Sequence, residues 1–186
     1  MGDNNVCKLL EKGVFEFLLL KGADVHTRDN DGWTALMLAA SEGHLEVVKL
    51  LLLNGTDLNS QKKDGYSALL LAANNGHLAT VCKLLEKEAD IHLKNNDGWT
   101  ALMAAAKNGH LDVVELLLLK GSVINMRNND GCTALNWAAA GGHLEVAKLL
   151  ILNGADLNSR DEDGETAFLQ AAANGHIFET IIVKPL

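Results

Sequence analysis

The chain has 186 residues, 48% of them apolar, and a formal net charge of −8 from 16 basic and 24 acidic side chains. That apolar share is ample for burial and excludes a disordered polar chain. The acidic balance opposes nucleic-acid binding, which needs a basic surface to displace counterions, and suits a partner of basic character.

The start, Met1-Gly2-Asp3-Asn4-Asn5, lacks the basic region of a secretory signal. Gly2 invites an acylation reading, but Val6 stands where that motif wants Ser or Thr. No apolar run is long enough to span a bilayer, so membrane insertion is not expected. Cys7, Cys82 and Cys132 lie far apart without metal-like spacing. Such a scattered set points to free thiols in a reducing, cytoplasmic setting. Val6 to Lys12 is identical to Val81 to Lys87, but the spacing of these two copies does not fit the repeat step found further along. The first unit is therefore out of register. The segment predicts a helix to about Lys12, a turn at Gly13, and a second helix from Val14 to Lys21. Residues 1–28 thus read as a shortened N-terminal unit.

A six-residue phrase then recurs: Asp31-Gly32-Trp33-Thr34-Ala35-Leu36, with further copies beginning at Asp64, Asp97, Asp130 and Asp163. The step from each copy to the next is constant. A period in this range marks a stacked repeat array, in which each unit packs on its neighbours. In residues 62–94, Asp64-Gly65 is hairpin chemistry, because glycine supplies a positive φ. Ser67 can cap a short helix over residues 68–75. Gly76 ends that helix, and His77 opens a second running to about Lys87. Helices this short are not stable alone in water, so their apolar faces must be covered by the adjoining units. The pairs Ala39-Ala40, Ala72-Ala73, Ala105-Ala106, Ala138-Ala139 and Ala171-Ala172 allow close helix approach. Full units are expected at 29–61, 62–94, 95–127 and 128–160. A truncated C-terminal unit is expected at 161–186, with a brief helix over 177–183 before Pro185.

On these residues the chain strongly resembles the ankyrin repeat family. The match rests on Gly32, Thr34-x-Leu36, Ala39-Ala40, Gly43-His44, Val47-Val48, Leu50-Leu51-Leu52 and Gly55-x-Asp57-x-Asn59, a frame that returns along the chain. The resemblance implies a mainly α solenoid of helix-turn-helix units joined by short β-hairpin loops. One departure is consistent. The family's Thr-Pro-Leu-His becomes Thr-Ala-Leu-Met at Thr34 and Thr100, Ser-Ala-Leu-Leu at Ser67, Thr-Ala-Leu-Asn at Thr133 and Thr-Ala-Phe-Leu at Thr166. The fold should survive this with a softer helix start.

The resemblance assigns the Gly-His histidines His44, His77, His110, His143 and His176 a structural role, bonding to loop backbone. Spaced down a stack, they do not converge as metal or catalytic ligands must. The row Asp31, Asp64, Asp97, Asp130 and Asp163 reads as turn stabilisation. No nucleotide-binding loop is present. The expectation is therefore a non-enzyme without cofactor or metal. The resemblance also marks Asn59 and Asn158 as candidates for side-chain hydroxylation; the alternative is that they bond across the loop.

What varies between repeats is the place to look for function. The residue after the hairpin glycine is Trp33, Tyr66, Trp99, Cys132 and Glu165. Around it vary Asn30, Lys63 and Asn96 before the hairpin Asp, and Glu42, Asn75, Lys107 and Asn108 before Gly-His. In the family such positions line a concave groove that contacts protein targets. Three successive aromatics, in a chain only 4% aromatic, suggest a binding stripe. They could instead pack on neighbouring hairpins and stiffen the array, and the two roles can coexist. Trp137 either borders a hollow beside Cys132 or folds down onto the next repeat. Leu20, Leu53, Leu119 and Leu152 align on the back, interrupted by Glu86, and offer a second surface for contact or self-association. The expected function is a monomeric module binding a partly basic protein or peptide. The alternative is a targeting fragment of a larger enzyme or of a host-directed bacterial effector.

Overall fold

The computed structural model describes residues 13–176. Residues 13–20 form α1. The remaining helices come in pairs: α2 Ala35–Ser41 with α3 Leu45–Leu53, α4 Ala68–Asn74 with α5 Leu78–Glu86, α6 Ala101–Lys107 with α7 Leu111–Leu119, and α8 Ala134–Ala140 with α9 Leu144–Leu152. Helix α10, Ala167–Ala173, closes the described chain. The even-numbered helices pack on one another in an inner row, and α3, α5, α7 and α9 in an outer row. Each inner helix from α2 to α8 also packs on its own outer mate. The chain is thus a mainly α solenoid.

Each inner helix starts where a hydroxyl can replace a missing backbone partner. Thr34, Ser67, Thr100, Thr133 and Thr166 are extended, and each side-chain oxygen accepts from the backbone N–H three residues on. In α8, Asn136 also accepts from the Thr133 N–H at 2.9 Å, completing a capping box. The helices end within a residue of their expected limits. Gly13 does not form the expected turn: it lies within α1, and the chain turns instead at Lys21-Gly22. Among the described residues nothing lies within 4 Å of a Cβ placed at Gly13, so the helix merely carries a weak helix former there. The expected helices before Lys12 and over 177–183 lie outside the described residues.

The core is shared between units. Leu36, Leu69, Leu102 and Leu135 are buried, as are the outer-helix pairs Val48–Leu51, Val81–Leu84 and Val114–Leu117. Phe168, at the same register on α10, is 79% exposed where those leucines are at most 2%. Burial of this face therefore depends on a following unit. Ala40, Ala72, Ala73, Ala105, Ala106 and Ala138 have no measurable exposure, because the inner helices meet there. Leu20, Leu53, Leu119 and Leu152 are exposed, as their place at the ends of the leucine-rich runs predicts.

Polar ladders run along the same stack. The hairpin residue Lys63 donates its N–H to Asp31 O, and Asn96, Asn129 and Glu162 do the same to Asp64, Asp97 and Asp130, at 2.9–3.0 Å. Arg28 donates to Gln61 O, Gln61 to Lys94 O, Lys94 to Arg127 O, and Arg127 to Arg160 O. His77, His110, His143 and His176 each donate from Nε2 to a carbonyl at the end of the preceding inner helix, Ser41, Asn74, Lys107 and Ala140, at 2.8–3.0 Å. Asn59 and Asn125 accept the N–H of Asp90 and Asp156, both at 2.9 Å, so they bridge successive loops.

Gly43, Gly76, Gly109 and Gly142 each have two jobs, a positive φ and close approach to the histidine ring of the following unit. Gly76 holds φ at +74, and a Cβ there would lie 2.5 Å from the His110 ring. Gly76→Ala should therefore lose about 1–3 kcal/mol of stability, from backbone strain and a displaced His110. Urea unfolding followed by circular dichroism measures this. Ala at the unobstructed Gly55, φ +76, should cost less.

Candidate functional site

The hairpin tips and the groove-facing side of the inner helices meet along one edge of the stack. Each tip is a tight turn followed by a glycine bulge: Gly32 donates to Asp29 O, Asp29 donates to Trp33 O, both at 3.0 Å, and Gly32 has φ +85. The turn is fastened by the residue two before the hairpin Asp. Asp29 Oδ1 accepts from the N–H groups of Asp31 and Trp33, and Asn95 Oδ1 from those of Asp97 and Trp99. Asn128 and Asp161 hold the N–H groups of Cys132 and Glu165 in the same way. This corrects the expectation for the hairpin Asp row in part: Asp64 pairs with Lys62 and weakly accepts from the Tyr66 N–H, and Asp130 accepts from Asn128 Nδ2, but the role shared by Asp31, Asp64, Asp97 and Asp130 is through their carbonyls, linking one repeat to the next. The fastening fixes the backbone of the residue that carries the variable ring.

Trp33, Tyr66 and Trp99 are half-buried and rest on the core. Trp137, on α8, is half-buried too. It leans back towards the preceding repeat, with its ring 4.5 Å from that of Trp99 at an interplanar angle of 33°. Ala104 holds the equivalent register on α6, and its small side chain leaves room for the indole. Trp137 thus packs on the preceding repeat, where the expectation was the next repeat or a hollow beside Cys132. All three tryptophans and the only tyrosine of the chain lie along this one edge.

Two lysines sit on the rings. Lys62 occupies the turn-fastening position that is Asp or Asn in the other hairpins. Its ammonium lies 4.9 Å from the centre of Trp33 and 5.0 Å from that of Tyr66, and it also pairs with the Asp64 carboxylate. Lys107, at the end of α6, lies 5.0 Å from Trp99 and 5.2 Å from Trp137. Only Lys107 of the two was legible as a groove residue. The signal for Lys62 was present, a lysine breaking an Asp/Asn position.

Asn30, Glu42, Lys63, Asn75, Asn96, Lys107 and Asn108 are exposed. Several are tied to the scaffold. Asn75 donates to Ser41 O at 2.8 Å, Asn96 to Lys63 O at 2.9 Å, and Asn108 to Ala104 O at 3.0 Å. Cys132 is not on this surface. At 5% exposure it lies beneath the edge, where a smaller side chain replaces the ring and is overlaid by its neighbours. Its thiol is 3.8 Å from both Asp161 Oδ2 and Gln170 Nε2. Burial pushes the thiol pKa up; the Gln170 hydrogen bond works against this, and the charges of Asp161 and Asp130 add to it.

Among the described residues, no group of three or more His, Cys, Asp or Glu side chains is placed to hold a metal, and no helix is long and apolar enough to cross a membrane. A cleft of about 120 Å³ between the first two loops is lined by Val25, His26, Arg28, Thr34, Thr56, Asp57 and Ser60. Its polar groups largely satisfy one another, with Arg28 donating to Ser60 Oγ at 2.7 Å and Ser60 to Asp57 Oδ2 at 2.6 Å. The Ser60 hydroxyl, then the Asn59 N–H, hold the Asp57 carboxyl below its ordinary value against a small burial effect.

A family model described as ankyrin repeats (3 copies) matches residues 5–95 and 71–161. No curated protein matches the chain.

Two outcomes follow from the side-chain environments. Cys82 should react with iodoacetamide in the folded protein, while Cys132 should react only on unfolding; peptide mass spectrometry separates them. A depressed folded-state pKa makes Asp57 stabilising above its unfolded value, a contribution lost as the pH falls through the folded one. The stability gap between the wild type and Asp57→Asn should thus be present at neutral pH and shrink in acid, as read by thermal unfolding across pH.

Proposed function

The chain belongs to the ankyrin repeat family, whose members are generally protein-interaction modules, and from that premise we propose that it binds a partner protein or peptide along the edge formed by its hairpin tips and inner helices. One observation supports this above the others: every tryptophan and tyrosine of the chain sits on that single edge, half-exposed. The large apolar side chains that are more exposed than these are leucine, isoleucine, valine or phenylalanine. Tryptophan and tyrosine carry large contact areas with little entropy to lose, which is why they dominate binding hot spots.

The rings serve the scaffold as well. Trp99 and Trp137 support each other, and Lys62 joins the first two hairpins through Trp33 and Tyr66. A rigid aromatic edge is a better anchor than a flexible one, because less order must be imposed on binding. Glu42, Asn75, Lys107 and Asn108 flank the rings and supply polar selectivity. The net charge of −8 and the run Asp161-Glu162-Asp163 with Glu165 favour a partner of basic character. In this reading the module is monomeric and non-catalytic, and its thiols suit a reducing cytoplasm.

Trp33→Ala combined with Trp99→Ala should abolish partner capture on an affinity column and leave the helical circular dichroism unchanged. The loss of the Trp99–Trp137 contact should cost stability of about 1 kcal/mol. Retained capture, or loss of the helical spectrum, would assign the rings to the scaffold alone.

A further inference from the structure

The two lysines on the aromatic edge are held differently. Lys62 is enclosed: its side chain is 14% exposed, and its ammonium is shared between two rings and the Asp64 carboxylate. Lys107 is exposed and has no carboxylate partner among the described residues. Its ammonium is held by Trp99 and Trp137 alone, at 5.0 and 5.2 Å from the ring centres. Two indole rings inclined at 33° thus converge on one cation that solvent can reach.

An aromatic face attracts a cation through its quadrupole, most strongly for tryptophan, and two faces act together. Lys107 is not the only support of the rings: Asn95 fastens the backbone N–H of Trp99, α8 carries Trp137, and the two rings lie against each other at 4.5 Å. The site is therefore formed before any ligand arrives, and the side chain filling it is a flexible one at a helix end. A lysine on four methylenes can swing away at small cost, leaving both indole faces for another cation.

The surroundings favour a cation from outside. One repeat further along, Gln170 holds the register of Trp137 and donates to Asp161 Oδ2 at 2.7 Å. Beside it stand the exposed Glu162, Asp163 and Glu165. Successive helices lie about 8–10 Å apart, so this acidic group begins roughly one repeat step from Trp137 and two from Trp99. An extended peptide covers that distance in about three residues.

We propose that Trp99 and Trp137 form a cation-recognition subsite for a lysine or arginine side chain of a basic peptide partner, and that Lys107 is the resident cation which the partner displaces. The neighbouring acidic run then receives a second basic residue of the same peptide. This rests on the binding reading above and adds the chemistry of its anchor: the pair reads charge as well as apolar area, and Lys107 weakens the subsite by competing for it.

The test uses tetramethylammonium chloride as the cation and neopentanol as the uncharged probe of matching shape, at constant ionic strength. The indole N–H signals of Trp99 and Trp137 are followed by ¹⁵N NMR in the full chain. In the wild type, tetramethylammonium should shift both signals and neopentanol should not. Lys107→Ala empties the subsite and should lower the half-saturating concentration about fivefold. Lys107→Gln, which keeps the length without the charge, should act in the same direction, and Trp137→Ala should remove the response. Equal responses to the two probes, or titrations unchanged by both Lys107 variants, would overturn the proposal. Matching circular dichroism spectra confirm that each variant is folded. A saturating cation response without capture of any protein would sink the partner-binding reading and leave the subsite standing. Capture without a cation response would do the reverse.

Discussion

No unit of this chain can hide its own apolar surface. The inner helices have seven residues and the outer helices from α3 to α9 have nine, too few to be stable alone in water. Each must lie against its equivalent in the next unit, and this one requirement sets the rest of the structure. It demands alanine where the inner helices touch, and it fixes the step between units. That fixed step lets polar groups from successive units meet repeatedly, as in Asp90 on Asn59, Arg28 on Gln61 and His77 on Ser41. The same contacts explain why the leucine register buried through four repeats is open at Phe168.

Scaffold and site are therefore separable in position but joined in energy. The backbone of each hairpin tip but the second is fixed by an Asp or Asn two residues before the hairpin Asp, and the ring that follows is free to vary. Where rings stand side by side they support one another, and two lysines reach them from the neighbouring loop and helix. Packing and binding are thus not competing accounts of the aromatic edge. The half-exposed faces of Trp33, Tyr66, Trp99 and Trp137 are fixed in place by the contacts that leave them half-exposed.

Much of the fold was legible because repetition turns one sequence into several independent readings. The caps at Thr34 and Ser67, the glycine at Gly76 and the alanine pairs all follow from local chemistry that recurs in every unit. Other features were not legible. The hairpin Asp row suggested side-chain fastening, but Asp and Asn two residues earlier have the better reach to the N–H of the ring-bearing residue. The direction of Trp137 depended on Ala104, one repeat away in the sequence, whose small size matters only once the two helices are adjacent. Cys132 shared its register with exposed rings, but a short side chain at that register does not reach the surface. Lys62 was missed for a related reason: its partners Trp33 and Asp64 come from different hairpins, and a comparison of repeats treats a lysine at an Asp/Asn position as noise.

The central claim is that the edge carrying the four rings, and not the back of the stack, is the face that engages a partner. Amide hydrogen exchange on the full chain, with and without the partner recovered by affinity capture, tests it most directly. Protection confined to the hairpin tips around Trp33, Tyr66 and Trp99 and to α8 around Trp137 is the predicted result. Protection concentrated on the outer helices near Leu53, Leu119 and Leu152, with the tips unchanged, would contradict it.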